Sequence, residues 1–121
     1  MTHGVAALLR KIDCLRLPVN DLEEAIAFYC RLGHDMKWRR HTQAGLRFPE
    51  TDAELVLQTE QPDPEIDLLV SDADAAARVF AAAGGHVIHG PFDIEVGRCV
   101  VVEDPWSNRL VLLDLRRGLS A

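Results

Sequence analysis

Four residues of this chain combine a thiol, a guanidinium and two carboxylates: Cys14, Arg16, Glu65 and Asp67. Cys14 and Arg16 are two positions apart, as are Glu65 and Asp67, and this spacing places both members of a pair on one face of a β-strand. A carboxylate there could accept a proton while Arg16 holds an anionic or carbonyl oxygen. The same charges could instead form an ion pair that bridges two parts of the fold. The sequence leaves both interpretations open.

The thiol of Cys14 also has two interpretations. It could act as a nucleophile if Arg16 favours the thiolate, or it could be a buried apolar side chain. The three cysteines, Cys14, Cys30 and Cys99, are odd in number and have no paired spacing. This pattern predicts free thiols in a reducing compartment such as the cytoplasm.

Three aromatic side chains are further candidates for a ligand site. Trp38 and Trp106 could stack against a ligand or pack in a core or interface. Phe92 could close over a ligand as a lid, or it could belong to a hairpin whose turn is fixed by proline and glycine. His86 and His89 are three residues apart, so a regular strand would point them to opposite faces and prevent joint metal binding.

An internal repeat predicts the elements that position these residues. Residues 19–33 align with residues 70–84 at a constant offset of 51. Asp21 and Asp72 are predicted N-caps of two amphipathic helices, because each precedes apolar residues at helical spacing. Gly33 and Gly84 supply the left-handed residue that ends each helix.

A strand precedes each predicted helix, and three short strand-like runs follow it. The predicted strands are 12–17, 35–40, 45–48 and 54–59 in the first half, and 66–70, 86–89, 98–103 and 109–115 in the second. Each half is therefore a βαβββ module, about 12–60 and about 63–115, joined at Gln61-Pro62-Asp63-Pro64. The predicted class is α+β, in a single domain of residues 1–121.

A four-stranded sheet with one helix leaves its other face uncovered. Two such modules can bury these faces against each other as an open, barrel-like sheet, within one chain or across a dimer. The geometry leaves a cleft between the modules, and clefts of this kind usually bind small molecules.

Charge and hydropathy exclude other classes of function. The chain has 121 residues and a net charge of −6, whereas a nucleic-acid surface needs clustered cations. The basic run Lys37–His41 could be a local anion patch, or it could be the solvated edge of a strand. Residues 5–9 are apolar but too few for a signal peptide or a membrane span, so we expect a cytoplasmic protein without membrane or nucleic-acid partners.

Two motifs resemble a known family. These are the Val-x-Asp-Leu-x-x-Ala-x-x-Phe-Tyr run at 19–29 and Glu-Asp-Pro-Trp-Ser-Asn-Arg-Leu at 103–110. Together with the βαβββ repeat they resemble the vicinal oxygen chelate superfamily, which contains glyoxalase I, bleomycin-resistance proteins and extradiol dioxygenases. The resemblance covers residues 12–115 and implies a glyoxalase-like fold that pairs its modules, commonly in a homodimer.

The resemblance also implies where metal ligands would stand. Metal-binding members carry His and Glu at four strand positions, which correspond here to Cys14, a residue within 55–58, Glu65 and Val111. Val111 has no lone-pair donor, and Leu55, Val56 and Leu57 offer none. We therefore expect no metal cofactor, with Val111 lining the cleft alongside Cys14, Arg16, Glu65 and Asp67.

The predicted function is that of a small-molecule binding protein of the glyoxalase/bleomycin-resistance type. Whether it is an enzyme stays open. The alternative is a lyase or dioxygenase-like enzyme with altered metal ligands, or with metal-free acid/base catalysis by Glu65 and Asp67. A third possibility is an interaction domain without a pocket.

Overall fold

The order β-α-β-β-β occurs twice along the chain in a computed structural model that describes residues 6–116, so the predicted α+β class with two βαβββ modules is confirmed. The elements are β1 (Lys11–Pro18), α1 (Leu22–Arg31), β2 (Met36–Arg39), β3 (Gln43–Phe48), β4 (Thr51–Gln58), β5 (Glu65–Leu69), α2 (Ala73–Ala82), β6 (His86–Ile94), β7 (Gly97–Glu103) and β8 (Arg109–Asp114). The described residues form two compact units. The first unit is Ile12–Ile66, and the second unit joins residues 6–11 to residues 67–116.

Both helices begin and end as the repeat predicts. The side chains of Asp21 and Asp72 accept hydrogen bonds from the backbone N–H groups of Glu24 and Ala75, each at 3.0 Å. These bonds satisfy first-turn donors that have no partner within the helix. The glycines after each helix have φ values of 99° and 112°, a left-handed conformation that glycine adopts without strain.

In the first unit the strands are ordered β2-β3-β4-β1, and β1 runs parallel to β4. One face of this sheet packs against α1, and its buried cluster contains Leu22, Ala44, Leu46, Leu55 and Leu57. Leu15 and Leu17 pack against the same cluster. Because side chains alternate along a strand, Cys14 and Arg16 lie on the opposite side, which we call the helix-free face.

The second unit repeats this plan with the order β5-β8-β7-β6, and residues 67–69 of β5 belong to it. Its core lies between the sheet and α2 and contains Val70, Ala76, Ala77, Val100, Val102 and Leu112. The segment before β1 also belongs to this unit. Leu8 packs against the core, and the backbone N–H of Arg10 donates to the carbonyl of Leu69 at 2.9 Å.

Strand β6 departs from the prediction in length and in the direction of its side chains. It continues to Ile94 instead of ending at His89, and two register shifts against β7 accommodate the proline and the neighbouring Gly90, which has φ 90°. Phe92 pairs with Cys99 within this ladder and therefore belongs to a paired strand, while its role as a lid stays a prediction. An edge strand tolerates proline because its outer N–H groups need no ladder partner.

The expected opposite orientation of His86 and His89 is also wrong. A bulge between Val87 and His89 inserts one extra residue. The two histidines therefore pair with Glu103 and Val101, which are two residues apart and share a face. Both histidines are exposed, as expected for an edge strand. Among residues 6–116, no helix is long and apolar enough to cross a membrane.

Candidate ligand-binding face

Arg16 is the central cation on the helix-free face of the first unit. One of its terminal nitrogens donates to the side-chain oxygen of Gln43 at 3.0 Å, and its Nε lies 3.6 Å from the carboxylate of Glu65. The Arg16 side chain is 23% exposed, so it is mostly enclosed yet reachable from solvent. The predicted proximity of Arg16 and Glu65 is therefore present. Gln43 was missed because its position depends on the pairing of β3 with β4.

Trp38 lies flat over Gly45 on the same face. A Cβ added to Gly45 would stand 2.1 Å from the indole nitrogen, so only glycine leaves room for the ring there. The indole N–H donates to the Glu54 carboxylate at 2.8 Å. Trp38 is half-buried, so part of its side chain is accessible from solvent.

The Glu54 carboxylate lies near two cationic side chains, Lys37 and Arg47, and the indole N–H of Trp38. Burial opposes its ionisation, but hydrogen bonds from Lys37 at 2.6 Å and from Trp38, together with the charges of Lys37 and Arg47, outweigh it. The pKa of Glu54 is consequently lowered from its ordinary value. Lys37 reaches Glu54 because the ladder between β2 and β3 is irregular beside Trp38.

Most cationic side chains of the basic run at 37–41 contact residues of the first unit. Besides the Lys37–Glu54 pair, Arg39 lies 2.5 Å from the carboxylate of Glu23, and the Arg40 guanidinium lies 5.5 Å from the centre of the Trp38 ring. These contacts favour a paired strand edge over an open anion patch.

Gln58 is the buried polar residue at the end of β4. It is 2% exposed, its side-chain oxygen accepts from the N–H groups of Glu60 and Gln61 at 2.8 Å, and its amide nitrogen donates to the Gln61 carbonyl. Its amide therefore fixes the chain that leaves the strand. Its side-chain oxygen therefore has no spare lone pair for a metal ion.

Cys14 is 7% exposed and stands beside Glu54 in the parallel ladder. This burial favours the structural interpretation of the thiol, since a nucleophile must be reachable. None of the three cysteines forms a disulfide; Cys99 is buried and Cys30 is exposed.

The helix-free face of the second unit carries apolar side chains in its inner strands, with Asp67 among them and His89 on the edge strand. Val111 pairs with Asp67 on one side and with Val101 on the other. Alternation from these positions adds Leu69, Cys99 and Leu113 to the same face. Asp67 and Val111 are thus neighbours, as the predicted strand faces require.

Trp106 occupies the tight turn between β7 and β8. Its backbone N–H donates to the Asp104 side chain at 2.9 Å, and the residue is 79% exposed. The interpretation of Trp106 as core packing is therefore wrong. The turn displays the ring outward because Asp104 also binds the backbone and side chain of Asn108.

The residues at the four implied ligand positions do not form a metal-binding set. Cys14 offers one thiol, but Val111 is apolar, the side-chain oxygen of Gln58 is taken by backbone groups, and Glu65 is paired with the cation Arg16. A divalent ion needs three or four donors and would be repelled by a guanidinium at one of them. The chemistry available on the first unit's face is instead the hydrogen bonding of a charged guanidinium.

Several solved structures have a fold similar to that of this chain. A methylmalonyl-CoA epimerase from Mycobacterium tuberculosis is similar with a TM-score of 0.76 and 20% identity, covering 98% of this chain and 97% of that one. A Mn(II)-bound glyoxalase from Novosphingobium aromaticivorans is similar with a TM-score of 0.62 and 15% identity, covering 92% of this chain and 41% of that one.

Sequence comparison identifies the family. An uncharacterized protein of Mycolicibacterium smegmatis is 34% identical over 105 residues, which cover 84% of this chain and 90% of that protein. The family model of the Glyoxalase/Bleomycin resistance protein/Dioxygenase superfamily matches residues 11–112. The chain therefore belongs to the Glyoxalase/Bleomycin resistance protein/Dioxygenase superfamily.

Proposed function

We propose that this protein binds a small organic anion on the helix-free face of its first unit, with Arg16 as the anchoring residue. The observation that carries this proposal is the guanidinium held by Gln43 and Glu65 on an accessible polar face. A guanidinium has five N–H donors in a planar fork, and its two recorded partners occupy only part of that capacity. Such a fork matches a carboxylate or phosphate in two parallel hydrogen bonds.

The surroundings of Arg16 support a ligand that also has an apolar part. Val56 is the register partner of both Arg16 and Gly45, and the Trp38 ring covers Gly45. An anionic group at Arg16 would therefore have an aliphatic and an aromatic surface within the same face. Methylmalonyl-CoA, named in the M. tuberculosis structure, combines a carboxylate with a methyl group and supplies a first probe.

We further propose that this binding proceeds without the divalent metal used by some relatives. Support comes from the donor set, in which Val56, Gln58 and Val111 do not offer free lone pairs. Asp13 and Asp67 are additional carboxylates on β1 and β5, so metal content needs direct measurement. Protein purified without chelators should contain well below one equivalent of Mn, Fe, Ni or Zn. A full equivalent, lost together with ligand binding on chelation, would contradict this part of the proposal.

Thermal-shift and calorimetric titration with malonate, methylmalonate, succinate and methylmalonyl-CoA tests the binding site. Arg16→Gln should weaken binding of the responding compound by about 10- to 100-fold, because a charge-assisted hydrogen bond contributes about 1.5–3 kcal/mol. Arg78→Gln, which removes an exposed arginine from α2, is the matched control and should change nothing. Equal binding by wild type and Arg16→Gln would refute the assignment.

A second candidate function is proton transfer by Glu65, with Asp67 as the other carboxylate of the predicted pair. The observation that favours it is the Glu65 carboxylate beside Arg16, where a bound carbonyl oxygen and a proton acceptor would be close together. Solvent-deuterium exchange into methylmalonyl-CoA, followed by NMR, measures this activity. Glu65→Gln should abolish exchange while binding persists; unchanged exchange in Glu65→Gln and in Asp67→Asn would exclude the acid/base function.

We also propose a cytoplasmic location. The three cysteines form no disulfide, as is typical of proteins in a reducing compartment. Fractionation of the source cells, followed by alkylation of exposed Cys30, would test this location.

A further inference from the structure

Arg16 and Glu65 carry opposite charges side by side without forming a hydrogen bond of normal length. Both belong to the first unit, and the Arg16 Nε lies 3.6 Å from a carboxylate oxygen of Glu65. A charge-assisted bond between such groups spans about 2.7–2.9 Å, so this pair is close but not closed. The two side chains are 23% and 34% exposed, so solvent reaches both charges. Each charge therefore keeps capacity for a further partner.

Gln43 adds a neutral group beside this pair. Its side-chain oxygen accepts from a terminal nitrogen of Arg16 at 3.0 Å, and the amide must face this way because a guanidinium has no acceptor. The amide nitrogen of Gln43 is bonded to the same carbon and has two N–H donors. Among residues 6–116, no hydrogen bond engages that nitrogen or the Glu65 carboxylate. The face therefore has spare donors on Arg16 and Gln43, next to spare acceptors on Glu65.

The net charge at Arg16 is small. Glu65 offsets the charge of the guanidinium at short range. Lys37, another cation of the first unit, does not reinforce it, because its ammonium donates to the Glu54 carboxylate at 2.6 Å. A ligand that carries only negative charge is therefore attracted by Arg16 and repelled by Glu65. A ligand with a positive group beside its carboxylate is complementary to both residues.

We propose that this site selects amino acids, in which an ammonium group stands on the carbon next to a carboxylate. The ligand carboxylate accepts from Arg16 and from the Gln43 amide, and the ligand ammonium donates to Glu65. This inference rests on the proposed anion site at Arg16. It adds the chemical class of the ligand and identifies Glu65 as the residue that determines specificity.

Matched ligands that differ only in the ammonium group test this specificity. The pairs are L-aspartate and succinate, L-alanine and propionate, and L-leucine and 4-methylpentanoate. Calorimetric titration of wild type should show at least one pair in which the amino acid binds about 10- to 100-fold more tightly, the effect of one charge-assisted hydrogen bond. Equal or weaker binding of the amino acid in every pair would overturn the proposal.

Glu65→Gln removes the negative charge and keeps the size of the side chain. The preference for the amino acid should be largely lost, and its partner without the ammonium should bind at least as tightly as to wild type, because it no longer meets a like charge. Arg16→Gln should weaken both members of the pair. Glu50→Gln removes an exposed carboxylate from the turn between β3 and β4 and should leave the preference unchanged. Circular dichroism confirms that each variant is folded.

The outcomes separate this inference from the proposed function. If carboxylates bind through Arg16 and gain nothing from the ammonium group, the anion site stands and the amino-acid specificity is refuted. A preference that survives Glu65→Gln refutes the role of Glu65. If neither these compounds nor the malonate series bind, or if Arg16→Gln binds them as wild type does, the anion site itself is refuted.

Discussion

The two units build the same secondary structure and use their helix-free faces differently. In the first unit that face carries Arg16, Gln43, Glu54 and Trp38, which contact one another or their neighbours through polar groups. In the second unit the corresponding face carries valine, leucine and cysteine side chains around Val111, together with Asp67 on β5 and His89 on the edge strand β6. The backbone repeat therefore does not determine the chemistry, since the residues at alternate strand positions decide which polar and charged groups each face carries.

The two units also differ in the buried polar side chain that ends their last strand. β4 ends at buried Gln58, which binds only the chain that follows it. β8 ends at Asp114, which is 1% exposed and accepts from the N–H of Ala73 at 2.7 Å and from that of Arg98 at 3.3 Å. One carboxylate thus joins a strand, the first turn of α2 and a neighbouring strand. A buried group with partners in several elements affects more of the fold than one with local partners.

The largest effect is expected from removing these two groups. Asp114→Ala should lower the free energy of unfolding by about 3 kcal/mol or more, because it leaves buried N–H groups without an acceptor. Gln58→Ala should cost about 1–2 kcal/mol, since exposed chain near the joint can rehydrate. Urea denaturation of both variants measures the difference. Equal losses would show that the two strand ends do not differ as described.

Two glycines provide a second contrast. A Cβ at Gly97 would meet the backbone oxygen of Asp114 at 1.8 Å, whereas a Cβ at Gly45 would meet only the movable Trp38 ring. Gly97→Ala should destabilise by about 2–3 kcal/mol. Gly45→Ala should cost less but displace Trp38 from Glu54. Denaturation and tryptophan emission spectra check these outcomes; a Gly45→Ala protein with unchanged emission would contradict the placement of Trp38.

The smallest of the three expected effects is the change in stability at acid pH that Glu54 causes. Because the pKa of Glu54 is lowered in the folded state, its contribution to stability is present above the ordinary value and is lost as pH falls through the acid range below about 4.3. Replacement by glutamine removes this titration, so Glu54→Gln should lose less stability than wild type between neutral pH and acid. The difference should be up to about 1 kcal/mol, given the solvent exposure of the site.

The measurement is thermal denaturation across the acid range. Glu50→Gln, in the exposed turn between β3 and β4, is the matched control and should follow wild type. A Glu54→Gln profile that also follows wild type would mean that Lys37 and Trp38 do not hold the carboxylate.

Local rules predicted the parts of the fold that local interactions decide. Asp21 caps the start of α1 and Gly33 follows its end, as the sequence predicts. Strand alternation correctly places Arg16 and Leu17 on opposite faces of the sheet. Extrapolation failed in β6, where one bulge residue brought His86 and His89 onto the same face. Alternation cannot detect an inserted residue, because the bulge is defined by the partner strand.

The candidate site was predictable only in part, for the same reason. Arg16 and Glu65 could be paired from strand faces alone. Gln43 and Glu54 become their neighbours through the register of β3 and β4, which no short-range pattern specifies. The sequence pattern assigns residues 5–9 to no helix or strand, yet Leu8 packs against the second unit's core.

The two tryptophans allow the most direct test of the central claim, because one lies in each unit. The indole N–H of Trp38 is on the proposed binding face, whereas Trp106 is exposed in the β7–β8 turn. In ¹⁵N-labelled protein titrated with methylmalonate, we predict that the Trp38 side-chain resonance moves to saturation while that of Trp106 stays in place. A stationary Trp38 resonance, or movement of Trp106 alone, would contradict the assignment of ligand binding to the first unit.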